Sequence, residues 1–319
     1  MVTTCQCSFH LKTAGRCANV RRGERCCSIS AIMPDEELSD PKPEILYHYT
    51  TIDAMMNIAK SRKIWATSIS YLNDSSEGDH FLGMIRNRLK YLLQKHSLDN
   101  SVLDQLSYTD TEIEDRPFIA SFSTDGNSLP QWRSYCPNGN GVAIGFRVAS
   151  LPQGIQTKEK AERSTIVFIR LEKVDYKPVS GELSIIDSEI AKLVAQADEM
   201  GPSSEGGTSA RRSGREDDFA AVAHMAACSR KHHSFSNEHE YRLIADPTFM
   251  NAGDLQFRSA RSTLVPYIEL SIPATDFIAE VVIGPSSNTE LSLQAVRAFF
   301  KHLQLQVDVK DCRIPFRNL

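Results

Sequence analysis

Apolar residues along the chain switch between two spacings. Residues 45–49, ILYHY, are a run of β-branched and aromatic side chains and read as a strand. Thr50 and Thr51 then offer a helix N-cap, with Asp53 in the first turn. Ile52, Met55, Met56 and Ala59 recur at helical spacing, which predicts a helix over 52–62. KIWATSI, 63–69, returns to a strand pattern, and 71–79 reads as a polar loop. Phe81, Leu82, Ile85, Leu89, Leu92 and Leu93 predict a second helix. Further strands are expected at 117–123, 142–146, 164–176, 240–245, 255–259, 264–270, 278–283 and 305–309. Helices are expected at 128–135, from Ile186 to Ala197, at 218–231 and at 288–302. This order has no regular βαβ alternation. The expected fold class is therefore α+β, a largely antiparallel sheet core with flanking helices.

The first 43 residues show neither period. Five of the eight cysteines crowd there, without the paired knuckles of common zinc sites, and no apolar h-region marks a signal peptide. Residues 1–43 are thus expected to be a disordered leader and linker; a start of translation at Met33 would explain the leader. A single domain is expected over 44–319, with 201–217, GPSSEGGTSARRSGRED, as a disordered insertion. The net charge of -4 implies no broad grip on a phosphate backbone, although RRSGR and RKHH are local basic clusters that suit a single-strand end. No apolar run approaches the ~20 residues of a membrane-spanning helix. No membrane partner is expected. The scattered remaining cysteines suit a reducing, cytoplasmic setting.

Some chemistry can be set aside. His224, Cys228 and His232 recur at every fourth position, but on one helix they would span roughly 12 Å of axis, so no metal site is expected. PNGNGVAIGF, which holds Gly139, Gly141 and Gly145, lacks the phosphate-loop Lys-Ser/Thr and reads as a turn feeding a strand, with glycines and asparagines supplying positive φ in the turn. SFSNEHEYRLI, 234–244, is more informative. Strand alternation puts Glu238, Glu240 and Arg242 on one face. Such a row is either a solvated strand end or a site, because adjacent carboxylates repel unless something uses them. His48, in the middle of an apolar strand, is either a satisfied core histidine or a partner for those acids.

The motifs LYHYT, SYLNDSSE, PFIASFS, QWRSY, KHHSFSNEHEYRLI, VVIGP and IPFR, in this order from Ile45 to Phe316, resemble a bacterial family known as domain of unknown function 2971. That family is in turn similar to the ADP-ribosyltransferases, which split the nicotinamide–ribose bond of NAD. The resemblance implies an ADP-ribosyltransferase-like fold and NAD as co-substrate. It also implies a macromolecular acceptor, protein or nucleic acid, and a place in toxin or phage-defence systems. Water as acceptor, in an NAD glycohydrolase, and a non-catalytic sensor are the alternatives. His48 resembles the first-strand element of such sites, and Glu240 the glutamate, with Glu238 completing an E-x-E. The middle element is Tyr71, Ser121 or Ser123. On this reading Glu240 accepts from a ribose hydroxyl, the ring N–H of His48 holds another, and Glu238 orients or deprotonates the acceptor. Tyr49 or Tyr71 stacks on nicotinamide, and Arg133 or Arg242 pairs with the diphosphate. Thr50, Asn73, Ser121, Ser123 and Trp132 complete the implied nucleotide-binding set.

Overall fold

The computed structural model describes residues 43–314, apart from 73–74, 97–112, 137–140, 160–163, 177–186, 189, 192–221, 250–251, 261 and 287. By its contacts the chain divides into Met1–Lys42 and Pro43–Leu319, and all described residues belong to the second unit. The leader, the insertion at 201–217, Asn73 and most of the helix expected after Ile186 lie outside them.

The strand-like runs become strands: β1 (Ile45–Thr50), β2 (Lys63–Ser68), β3 (Phe118–Ser123), β4 (Val142–Arg147), β5 (Gly154–Glu159), β6 (Ser164–Lys173), β7 (Glu240–Phe249), β8 (Gln256–Ala260), β9 (Thr263–Ser271), β10 (Ile278–Ile283) and β11 (Asp308–Asp311). They form one 11-stranded sheet in which every pairing is antiparallel except β10 with β11. Helices α1 (Ile52–Ser61), α2 (Ser75–His96) and α3 (Leu129–Tyr135), and a C-terminal helix Thr289–His302, accompany it. Thr51 caps α1 by accepting from the N–H of Ala54, at 3.2 Å.

The sheet forks at β3. β7 pairs with β3 from Phe118 to Ser123 and carries β6 and β5 beyond it. The other edge of β3 is shared. Ser68 and Thr67 of β2 meet Phe118 and Ile119, while Tyr47 of β1 meets Ser123. Between them, residues 120–122 have no ladder partner on that edge among the described residues. β1 continues through β4 and β10 to β11, and β2 through β9 to β8.

Alternation along β3 divides the core. Phe118, Ala120 and Phe122 join Met55 and Ile58 of α1 and Val296 and Phe300 of the C-terminal helix. Ile119 faces the other way, with Ile244, Phe81, Leu82 and Ile85, and with Ala223 and Cys228 from the helical residues 222–228. A smaller cluster joins Tyr49, Trp132, Cys136, Val282 and Cys312.

Three points of the sequence reading need correction. β5 is absent from the sequence reading because GIQTKE has no apolar alternation; it is an edge strand held by pairing to β6, with Ile155 69% exposed. α2 begins at Ser75, inside the expected polar loop, since Ser and acidic residues also suit the first turn of a helix. The last strand starts at Asp308 and not at residue 305. Gly145 lies within β4, in the strand expected at 142–146, where a Cβ would come 2.9 Å from Glu280 Cγ and 3.1 Å from Tyr47 Cε1. The glycine lets the Tyr47 ring cross β4, and the Tyr47 hydroxyl donates to Glu280 at 2.7 Å.

Gly145→Ala is therefore expected to lower stability by about 1–3 kcal/mol, as overpacking does in a buried strand. Urea unfolding of the two proteins measures it.

Candidate ligand-binding site at the fork in the sheet

The open edge of β3 is closed by a side chain. His48 Nδ1 lies 2.9 Å from the Ser121 carbonyl oxygen. A carbonyl only accepts, so Nδ1 carries the proton and Nε2 is left as an acceptor. Burial lowers the pKa of His48, against the Ser121 carbonyl that favours the charged form, which keeps the ring neutral. The sequence reading had the His48 N–H holding a ligand hydroxyl. That N–H is taken by the backbone, and the remaining nitrogen offers a lone pair.

A recess of about 60 Å³ opens here, lined by His48, Tyr47, Ser121, Ser123, Glu238 and Glu240, with Gln131 and Tyr135 from α3. The register Ser123↔Glu240 and Ser121↔Arg242 puts these four on one face of the sheet, together with Tyr47. His48 alternates to the opposite face, against Phe122. It reaches the recess because the ladder is open beside it.

The two glutamates meet by a route other than strand alternation. Glu238 ends a 3-10 helix, His233–Glu238; His239 follows in the left-handed region at φ 45°; β7 begins only at Glu240. What joins them is Lys231. Its Nζ donates to Glu238 Oε2 at 2.7 Å and to Glu240 Oε2 at 3.1 Å. Arg242 closes the other side of Glu240, with Nε 2.9 Å from Oε1, and its Nη1 donates to the Cys228 carbonyl at 2.7 Å. The Glu240 N–H donates to the hydroxyl of Tyr176, whose pKa burial pushes up to about 12. The Ser123 hydroxyl donates to the Glu238 carbonyl at 2.7 Å and so ties the 3-10 turn to β3.

This network decides which acid faces outward. The Glu240 and Lys231 side chains are 5% and 4% exposed, whereas that of Glu238 is 20% exposed. Arg242 is buried and committed, so it offers nothing to a diphosphate. Lys231 and Arg230 are also turned away from any basic surface: Arg230 packs over the Phe81 ring, 4.4 Å from its centroid, and pairs with Asp175. His224 and Cys228 lie in the helical residues, but the helix ends before His232, which caps the following 3-10 turn. Among the described residues no three potential metal ligands cluster.

The other implied residues divide. Tyr49 is core: its hydroxyl donates to the Asp125 carbonyl and accepts from the Ser128 N–H, and its ring meets Trp132 edge-on at 4.7 Å. Trp132 is 2% exposed and donates to Asn127. Tyr71 and Arg133 line neither the recess nor the neighbouring cavity. That cavity, of about 350 Å³, shares His48, Tyr49 and Tyr135 with the recess and adds Thr50, Lys63, Trp65 and Arg258. The sequence reading did not find Lys231, Tyr47, Gln131 or Tyr135 as site residues. Only the last two left a local signal, four apart on one side of α3.

Residues 131–243 match the model of a family described as "Protein of unknown function (DUF2971)". The match is shorter than the span of motifs from Ile45 to Phe316; it takes in Tyr135, Lys231, Glu238, Glu240 and Arg242, but not His48 or Ser121. No curated protein and no solved structure matches the chain. No described helix is long and apolar enough to cross a membrane.

Lys231→Met is expected to cost about 1–3 kcal/mol, because it leaves Glu238 without its cation and the buried Glu240 with Arg242 alone. Adding Glu240→Gln should recover part of that loss in chemical denaturation. For His48 the folded pKa lies below the usual 6.5, so the unfolded chain binds this proton first. The His48 contribution is whole above pH 6.5 and is lost as pH falls through the folded pKa. The stability of the protein relative to His48→Gln should thus fall between pH 7 and 5; a difference flat with pH would refute the neutral assignment.

Proposed function

We propose that this DUF2971 protein is an NAD-dependent ADP-ribosyltransferase-like enzyme that passes ADP-ribose to a macromolecular acceptor. One observation carries the reading. Three adjacent strands, β1, β3 and β7, with the 3-10 turn that leads into β7, bring a neutral histidine, two serines and a pair of glutamates to one recess beside a larger cavity.

Cleavage breaks the bond between ribose C1′ and the nicotinamide nitrogen. The electron pair leaves with nicotinamide, and positive charge builds on the ribose. A fixed carboxylate nearby stabilises that state more than the ground state. On this reading Glu238, the more accessible acid, faces the ribose and takes the proton of the incoming acceptor. Glu240 holds Lys231 and with it the position of Glu238. His48 Nε2 accepts from a ribose hydroxyl, and the Ser121 hydroxyl lies beside it.

A second reading has its own support. Both oxygens of Glu240 are already engaged by cations, an arrangement suited to a rigid wall. A nucleotide-binding sensor without turnover needs no more than that.

Incubation with labelled NAD plus protein, DNA and RNA tests both. Transfer of label, slowed about 10²-fold or more in Glu238→Gln, is the expected result. Free ADP-ribose without labelled product would make water the acceptor. Calorimetric binding of NAD without consumption would select the sensor, and neither binding nor consumption would remove NAD from the account.

A further inference from the structure

The larger cavity has a chemistry of its own. Trp65 lines it and is 41% exposed, although Tyr267 stacks on the indole at 4.3 Å and 30° between planes. A tryptophan backed by a tyrosine is a rigid aromatic platform. Tyr135, 38% exposed, lines the same cavity. Two cations stand in its wall. Lys63 is neutralised by Glu269 at 2.6 Å. Arg258 has no carboxylate partner among the described residues; its polar contact is with Thr67 Oγ1, at 3.4 Å. Asn57, Ser61, Thr50 and Thr51 add amide and hydroxyl groups. A volume of about 350 Å³ falls within the ordinary range of small-ligand sites.

An exposed aromatic face attracts any flat ring, and an uncompensated guanidinium attracts a phosphate. Together, with hydrogen-bonding groups along the wall, they select a ligand that is flat at one end and anionic at the other. We propose that this cavity is a nucleotide subsite, with a nucleobase stacked on Trp65 and its phosphate on Arg258. The inference goes beyond the transfer reaction, and it holds whether or not the ligand is cleaved. A free nucleotide and the end of a single strand present the same base and phosphate.

The chain carries its own reporter. It has two tryptophans, and Trp132 is buried in the core, so exposed-tryptophan fluorescence reports Trp65. Adenosine monophosphate has no nicotinamide bond, which separates this test from that of NAD cleavage. It should quench the emission saturably. Trp65→Ala, followed by calorimetry, should weaken binding about tenfold or more, the usual effect of losing a stacked base. Arg258→Gln should weaken adenosine monophosphate and leave adenosine unchanged. A short single-stranded oligonucleotide forms the second arm: tighter binding with a steep salt dependence identifies a strand end as the source. Circular dichroism checks the fold of each variant. Absence of saturable quenching by either ligand at millimolar concentration, or an Arg258→Gln protein that binds adenosine monophosphate unaltered, would overturn the proposal.

Discussion

A carboxylate with only 5% of its side chain exposed, as Glu240 has at the head of β7, is tolerated where cations replace its lost water. Lys231 and Arg242 do so from opposite sides, and each brings another part of the chain with it. Arg242 fixes the end of the helical residues 222–228 through the Cys228 carbonyl. Lys231 draws in Glu238 and thereby the whole 3-10 turn, which Ser123 then fastens to β3. The two acids and two bases sum to no net charge, so the wall of the recess is polar without a strong field of either sign. Breaking the set from one side is costly, while replacing it as a whole by apolar groups need not be. The cluster is better understood as fixing geometry than as a reserve of stability.

Periodicity made much of the sheet and its helices readable. ILYHY, KIWATSI and VAIGF carry enough β-branched and aromatic residues to read as strands, and the α1 cap is local. The site was readable only in part. Glu238 and Glu240 do converge, but the alternation that suggested it does not operate, because His239 turns the chain out of the strand before β7 begins. Lys231 carried no local sign of its role: a lysine after a helix suits the helix dipole equally well, and its burial is decided by a turn seven residues on. Arg242 and Trp132 show the reverse. Their chemistry suits a ligand, yet packing has already used them. The histidine strand was recognisable, but which ring nitrogen is available depends on a carbonyl left over where two strands diverge.

The recess is too small for a dinucleotide by itself. Its volume of about 60 Å³ is far below the ~300 Å³ at which ordinary ligand sites begin. The neighbouring cavity has that space but lacks the acids. His48, Tyr49 and Tyr135 belong to both, so a ligand that engages the glutamates and also fills the cavity must pass these three residues. Tyr49 is fixed by two hydrogen bonds and His48 by one, which leaves the boundary on those sides preformed.

Forking has a cost that an unbranched sheet does not meet. A linear sheet ends in two edge strands; this one ends in three, since β5, β8 and β11 each pair on one side only among the described strands. Every such edge is a template on which another chain can add a strand. Each carries charge: Lys158 on β5, Arg258 on β8, Asp308, Lys310 and Asp311 on β11. The divergence of β1 and β2 from β3 thus burdens the molecule with an additional surface to keep from sticking to its own copies.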